Sequence, residues 1–171
     1  VLIPVYQSEK TLQGCLQSIM NQTYPIKNIM VLLLNNGPKD AAYQIFNDFQ
    51  EENEKLKIRW LDSSQGKAKA LNKGLYMAEG KYIINIDSDG VLERNAIMNV
   101  VKKFEHHPEV MAMTGVILTD TRLIEEGRSL GQKLLQRCEL FEYAESFVVG
   151  RGYQSKTNTM FTLAGAFSCY R

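Results

Sequence analysis

The sequence has no hydrophobic run long enough to cross a bilayer. Its longest apolar stretches, such as residues 29–34, fall far short of the roughly 20 residues that a membrane helix needs. It also has almost no excess charge, since a net charge of +1 over 171 residues gives no electrostatic case for nucleic acid as the main partner. The three cysteines match no metal-ligand spacing, so they indicate reduced thiols in a cytosolic setting.

Several catalytic and cofactor-binding patterns are missing as well. No Gly-x-Gly-x-x-Gly follows a predicted strand, which argues against a dinucleotide-binding domain. The two histidines, His106 and His107, are adjacent and predict the surface end of a helix, so no Ser–His–Asp or Cys–His arrangement is indicated. The composition, with 44% hydrophobic and 23% charged residues, is typical of one globular domain that needs no disulfide or structural metal.

Short apolar runs alternate with segments of helical period through the first two-thirds of the chain. The predicted strands cover residues 1–5, 29–34, 56–61, 82–86 and 110–114. The predicted helices cover residues 12–20, 41–54, 68–78 and 96–104, the third with an apolar stripe of Ala68, Leu71, Leu75 and Ala78. Because strands and helices alternate with short links, we expect an α/β, Rossmann-like fold with a mainly parallel sheet and helices on both faces.

The pattern changes after residue 115. Residues 130–150 predict one long helix, and residues 151–170 are polar at first and then rich in small residues. The residues of that helix expected to face inward are Leu134, Leu135, Cys138, Phe141, Ala144 and Phe147. The chain begins inside its first predicted strand and stops without a closing element, so we interpret it as a fragment truncated at both ends.

Polar residues follow each of the first four predicted strands. In open α/β sheets, ligands bind at the carboxyl ends of the strands, so we expect these segments to converge on one crevice. The segments are residues 4–9, 35–40, 62–67 and 87–90, of which residues 39 and 40 lie outside those that the structure describes.

The Asp87-Ser88-Asp89 triplet is the sharpest chemical signal, because it directly follows an apolar strand. Hard carboxylate oxygens suit Mg²⁺ or Mn²⁺, which would share coordination with the oxygens of a diphosphate. The alternative is an ordinary turn, in which Asp and Gly are favoured anyway. Lys67 follows Gly66 at a predicted helix start, where anions are attracted, although a solvated surface lysine is the alternative there.

Several motifs, in order, resemble family-2 glycosyltransferases of the GT-A fold. They are residues 1–9, residues 16–25, Gly66-Lys67-Ala68 with Ala70-Leu71-Asn72, and Ile86-Asp87-Ser88-Asp89-Gly90. The later residues are similar to membrane polysaccharide synthases, a branch that includes hyaluronan, chitin and poly-N-acetylglucosamine synthases. These later residues are Glu142-Tyr143, Phe147, Arg151, Gln154-Ser155, residues 163–167 and Tyr170-Arg171.

This resemblance implies a role for each matched position. Residues 1–115 would bind the nucleotide sugar and residues 116–171 would start the acceptor-binding half, within one structural domain. The nucleotide-sugar site would comprise Pro4, Tyr6, Glu9, Asn36, Asp62, Lys67 and Asp87. The pair Asp87 and Asp89 would hold the Mg²⁺ or Mn²⁺ ion, and Gly165 and Gln154 would lie on the acceptor side.

The implied reaction is inverting transfer of a sugar from a UDP-sugar to the hydroxyl of a glycan or lipid-linked acceptor. The implied parent protein is membrane-associated and works at the cytoplasmic face. Two departures from the family matter: Asn35-Asn36 stands where the family usually has an aspartate pair, and the acidic general base is expected beyond Arg171. We therefore expect the isolated chain to bind donor weakly and to turn over slowly.

Two other functions stay open at this point. A nucleotidyltransferase also uses an α/β sheet and a metal-held diphosphate, but the loop over residues 4–9 lacks the glycines typical of that class. A non-catalytic nucleotide-sugar-binding subunit would fit the asparagines at positions 35 and 36 and the missing base.

Overall fold

The computed structural model describes residues 1–38, 41–119 and 129–171. The strands are β1 (Leu2–Val5), β2 (Met30–Asn35), β3 (Lys57–Asp62), β4 (Ile83–Ile86), β5 (Ala112–Thr114) and β6 (Phe167–Tyr170). The α-helices are α1 (Leu12–Met20), α2 (Ala41–Glu52), α3 (Lys67–Met77), α4 (Ala96–His106), α5 (Leu130–Tyr143) and α6 (Arg151–Thr157). A short 3₁₀ helix covers Ile26–Asn28, and a π-helical segment covers Ala144–Gly150.

The strands form one sheet in the order β3-β2-β1-β4-β6-β5. β1 pairs in parallel with both β2 and β4, and β2 pairs in parallel with β3. The chain therefore builds the sheet outward from β1 in one direction and then crosses to its other side to add β4. This reversal creates a topological switch point between β1 and β4, where open α/β sheets bind their ligands.

Alternate strand residues enter two separate cores because successive side chains point to opposite faces of a strand. The larger core joins one face of the sheet to α1, α2 and α4 and includes the fully buried Ile3, Leu33 and Phe104. The smaller core joins the other face to α3 and consists of Leu2, Leu32, Leu34 and Ala70. The expected α/β fold with helices on both faces is confirmed, as are its five predicted strands to within two residues at each end.

The sixth strand was not predicted. β6 pairs antiparallel with β4, from Ile83 opposite Tyr170 to Ile86 opposite Phe167. Its four residues lie in a segment interpreted as rich in small residues, and a strand so short gives only a weak alternation. The sheet is thus mixed, with a parallel half around β1.

The apolar stripe predicted for the third helix is confirmed only in part, because Leu71 packs against the smaller core whereas Ala68 and Leu75 are exposed. Leu75 is 45% exposed, whereas the buried residues of α3 are Ala70 and Gly74. A side-chain carbon placed on Gly74 would lie 2.6 Å from Leu34 Cδ1, so the helix contacts β2 through a residue without a side chain. The small residues Ala70 and Gly74 set this close approach, and Leu71 adds to the packing.

Two compact units divide the chain, residues Val1–Met113 with Gly165–Arg171 and residues Thr114–Ala164. In the second unit, Ser129 and Gln132 form a reciprocal capping box at the start of α5. The inward face predicted for this helix was wrong, because Leu134, Leu135 and Phe141 are 63%, 71% and 74% exposed and Cys138 is exposed as well. The functional division at residue 115 stays a prediction.

Residues 151–158, for which the sequence indicated polarity but no secondary structure, contain α6, which occupies Arg151–Thr157 and ends at Asn158 in the left-handed conformation. The Arg151 guanidinium lies 4.9 Å from the Phe147 ring centre and donates a hydrogen bond to the Thr162 carbonyl, which fixes the start of α6. Among the described residues, no helix combines the length and the apolarity that a bilayer crossing requires.

The close approach of α3 to β2 can be tested with a pair of glycine substitutions. We expect Gly74→Ala to lower the free energy of unfolding by about 1 kcal/mol, because overpacking against the fully buried Leu34 costs about 1–3 kcal/mol. The control is Gly14→Ala in α1, where a new methyl group meets no atom within 4 Å. Helix propensity should raise its unfolding free energy by up to about 1 kcal/mol. Urea denaturation measures both, and an equal gain in the two variants would contradict the packing.

Candidate functional site

A cavity of about 530 Å³ opens at the carboxyl ends of β1, β2 and β4. Its position is the switch point of the sheet, where the side chains that follow these strands meet. The residues that line it are Pro4, Tyr6, Gln7, Ser8, Thr11, Asn36, Lys67, Asp87, Ser88 and Asp89. Six of the predicted site residues, namely Pro4, Tyr6, Asn36, Lys67, Asp87 and Asp89, are therefore brought together.

The loop after β1 is fixed by the buried hydroxyl of Ser8. This hydroxyl accepts a hydrogen bond from the Tyr6 backbone N–H at 3.2 Å and lies 3.1 Å from the Tyr6 carbonyl oxygen. It also lies 2.6 Å from the hydroxyl of Ser88, so it joins this loop to the acidic turn. Gln7, between Tyr6 and Ser8, adopts a φ of 50°, which is uncommon for a residue other than glycine. The hydrogen bonds between Tyr6 and Ser8 stabilise this conformation.

The acidic turn itself is tied to its surroundings through its backbone. The Asp87 N–H donates to the Ala166 carbonyl at 3.2 Å, and the Gly90 N–H donates to the Asp87 carbonyl at 2.9 Å. The Cys15 thiol lies beneath the turn and donates to the same Asp87 carbonyl at 3.8 Å. With its backbone held in this way, the turn can direct both carboxylates without using their oxygens for its own folding.

Cys15 supports the turn as a neutral thiol. Burial, followed by the nearby charges of Asp89 and Asp87, raises the pKa of Cys15 to about 12. A metal ion would bind the thiolate form, which is absent at neutral pH, so Cys15 is a packing and hydrogen-bonding residue.

The two aspartates differ in their partners. Asp87 Oδ1 lies 2.5 Å from Lys67 Nζ, and the side chains of the two residues are 29% and 48% exposed respectively. Asp89 is exposed, and its carboxylate accepts no hydrogen bond from any residue in the described parts of the chain. Lys67 is the first residue of α3, as predicted, and the preceding Gly66 has a φ of 124° that side-chain-bearing residues rarely adopt.

The donor set fits a hard divalent cation that takes only part of its coordination from the protein. Both carboxylates line an open cavity, which leaves room for phosphate and water oxygens around an Mg²⁺ or Mn²⁺ ion. No group of three or more His, Cys, Asp or Glu side chains gathers to hold a metal within the described ranges. The arrangement therefore resembles a site shared with a ligand and not a self-contained metal cage.

Asn36 and its neighbour Asn35 have different roles in the structure. Asn36 is only 7% exposed, lines the cavity, and makes no side-chain hydrogen bond with any described residue. Asn35 instead donates to Asp62 Oδ1 at 3.0 Å and to the Gly37 carbonyl at 2.9 Å. Trp60 Nε1 also donates to that Asp62 oxygen, at 2.8 Å.

The remaining predicted residues lie elsewhere. Asp62 and Glu9 are exposed and do not line the cavity, and β3, which ends at Asp62, is an edge strand separated from β1 by β2. The Gly165 carbonyl accepts a hydrogen bond from Asn85 Nδ2 at 2.6 Å, and Gln154 lies in α6 of the second unit. The roles predicted for these four residues stay predictions.

Sequence reasoning missed four members of the lining: Gln7, Ser8, Thr11 and Ser88. The hydroxyl groups of Ser8 and Ser88 lie 2.6 Å apart and join positions 80 residues apart in the sequence. Their only signal in the sequence is that each lies in a segment following a strand, so the contact itself could not be read from spacing.

Comparison with known proteins places this site in context. The family model described as glycosyl transferase family 2 matches residues 1–168. The chain is 28% identical over 170 residues to a poly-beta-1,6-N-acetyl-D-glucosamine synthase of Staphylococcus epidermidis, covering 99% of this chain and 38% of that protein. The enzyme of the same name in Staphylococcus aureus strain COL is 24% identical, with the same coverage. The chain thus spans well under half the length of these curated relatives.

Solved structures share the fold. A mannosyltransferase from Pyrobaculum calidifontis, solved with GDP-Man and Mn²⁺, matches with a TM-score of 0.69 at 19% identity, over 99% of this chain and 43% of that one. Staphylococcus aureus TarS residues 1–349, solved with UDP, matches with a TM-score of 0.56 at 23% identity, over 63% of this chain and 32% of that one. The family model covers nearly the whole sequence, and the chain belongs to glycosyl transferase family 2.

Proposed function

We propose that this chain is the donor-binding part of a glycosyltransferase that takes a UDP-sugar together with Mg²⁺ or Mn²⁺. The observation that carries this proposal is the convergence of Lys67, Asp87 and Asp89 in one cavity of about 530 Å³. The lysine ammonium group and a bound metal ion would both face this open cavity. Together they would attract the negative charge of a nucleoside diphosphate. Family membership favours glycosyl transfer over the nucleotidyl transfer weighed as an alternative.

The diphosphate would lie between α3 and the acidic turn. Lys67 starts α3, where free backbone N–H groups and the helix dipole add to the attraction of its ammonium group for anions. Asp87 and Asp89 would hold the metal on the opposite side. Bound there, Mg²⁺ or Mn²⁺ would act as a Lewis acid that stabilises charge on the departing nucleoside diphosphate.

The nucleoside would lie toward β1 and β2. Tyr6 is 49% exposed at the cavity and offers an aromatic surface, and Pro4 lines the wall beside it. The amide of Asn36 both donates and accepts hydrogen bonds, which suits the mixed donor and acceptor edge of uracil. Glu9 and Asp62 would contribute from the periphery.

We further propose inverting transfer of the sugar to an acceptor hydroxyl in the synthesis of polysaccharide or other cell-envelope glycan. The names of the relatives, which are poly-beta-1,6-N-acetyl-D-glucosamine synthases, support this substrate class. Gly165 and Gln154 would face the acceptor, a glycan or a lipid-linked sugar, at the cytoplasmic side of a membrane. No general base is assigned within the described residues.

The metal site can be tested by calorimetric titration of UDP with and without Mg²⁺ or Mn²⁺. We expect the metal to tighten UDP binding to the wild-type chain by at least about tenfold. Asp89→Ala should lose most of that gain, because it removes a carboxylate that has no other partner within the described ranges.

The matched control for this measurement is Asp48→Ala, which removes an exposed carboxylate on α2 that is bonded to Gln44. It should leave the effect of metal unchanged. Equal, metal-independent UDP affinity in the wild type and in Asp89→Ala would refute the metal site.

The nucleoside end can be tested separately with Asn36→Ala. Loss of a hydrogen bond from a largely buried amide should weaken UDP binding about tenfold while changing the affinity for inorganic pyrophosphate less than twofold. Calorimetry or competition with a fluorescent nucleotide measures both affinities. Asn99→Ala, at an exposed position on α4, is the control and should change neither. A parallel loss for UDP and pyrophosphate would show that Asn36 does not contact the nucleoside.

A further inference from the structure

Lys67 lies where an incoming cation would need to bind. Its Nζ atom is 2.5 Å from Asp87 Oδ1, and both residues line the same cavity. The ammonium group therefore already neutralises one of the two carboxylates of the acidic turn. Asp89, the other carboxylate, has no hydrogen-bond partner in the described parts of the chain.

We propose that Lys67 is a built-in counter-ion that pairs with Asp87 until nucleotide and metal enter together, and that it then moves to the diphosphate. This inference rests on the proposed function and adds a binding order to it. Metal alone must displace an ammonium group from Asp87, whereas metal that arrives with a diphosphate brings a new partner for that ammonium group. Lys67 thereby couples the binding of metal to the binding of nucleotide.

The strength of the ion pair sets the size of the effect. Lys67 and Asp87 are 48% and 29% exposed, so solvent screens their attraction. Exposed pairs of this kind change an equilibrium constant by about fivefold at most. The contact is thus strong enough to disfavour metal binding in the absence of nucleotide, and weak enough for a diphosphate to break it.

The position of Lys67 on its helix provides the second partner. As the first residue of α3, it stands beside the backbone N–H groups of the first helical turn, which have no partner within the helix. A diphosphate bound at this end would place its oxygens near both the N–H groups and the ammonium group. The long lysine side chain can reach either anion by rotation about its own bonds, with no movement of the backbone.

Lys69 offers a matched comparison. It lies two residues further along α3, carries the same charge and is exposed, but it does not line the cavity and has no ion pair within the described ranges. Replacing either lysine with glutamine changes the net charge equally. Only the change at position 67 frees a carboxylate oxygen of Asp87.

The test is a Mn²⁺ titration, without nucleotide, of the wild-type chain, Lys67→Gln and Lys69→Gln. Binding is measured by water-proton relaxation, which detects affinities as weak as millimolar. We expect Lys67→Gln to bind Mn²⁺ about two- to fivefold more tightly than the wild type, and Lys69→Gln to differ by less than 1.5-fold. Repeating the titration with saturating UDP should give a smaller UDP-induced gain in Mn²⁺ affinity for Lys67→Gln than for the wild type.

The outcomes separate this inference from the proposed function. If UDP binding to the wild type does not respond to metal, both are overturned. A second outcome is that UDP binding depends on metal but the three proteins show the same Mn²⁺ binding without nucleotide. Only the counter-ion inference is then overturned, and this holds even if none of the three binds Mn²⁺ alone. An equal gain in Lys67→Gln and Lys69→Gln would overturn it too, since the effect would then be one of net charge.

Discussion

The parallel pairing of β1 with both of its neighbours is the constraint on which the rest of this structure depends. Because β2 and β4 flank β1 and run in the same direction, the segments that follow all three strands emerge at one edge of the sheet. The register aligns Val5 with Asn35, so the loop after β1 and the asparagines after β2 start at the same level. The cavity is a consequence of this alignment.

The acidic turn combines a fixed backbone with available side chains. Contacts to Ala166, Cys15 and Ser8 hold its backbone and its central serine, and they come from three separate parts of the chain. The turn carries two negative charges, at Asp87 and Asp89, and the Lys67 ammonium group offsets one of them through its contact with Asp87. Because the backbone of the turn is fixed, the proposed cation would require release of Lys67 from Asp87 but little rearrangement of the turn itself.

The segment before β6 is hydrogen-bonded to the strand and the turn that border the cavity. Asn85, buried in β4, donates to the Gly165 carbonyl at 2.6 Å, and the next residue but one, Asp87, is bonded through its N–H to Ala166. The Oδ1 atom of Asn85 is buried without a hydrogen-bond partner in the described parts of the chain. The side-chain amide thus donates a hydrogen bond to Gly165 but accepts none from those residues. Gly165, which was predicted to lie on the acceptor side, is thereby connected to β4, the strand that the acidic turn follows.

By itself the sequence determined the strands of the parallel half, the positions of their carboxyl ends and the identity of Asp87, Asp89, Lys67 and Asn36. These follow from local patterns, because a buried strand is a run of apolar residues and its end is marked by polar ones. Tertiary structure alone decided which of these ends meet. Asp62 and Glu9 have suitable chemistry but lie outside the cavity lining, and Ser8 and Ser88 pair across 80 residues. Gly74, and not the exposed Leu75, contacts β2. Each of these depends on distances between segments far apart in the chain, and the period of a single segment contains no information about such distances.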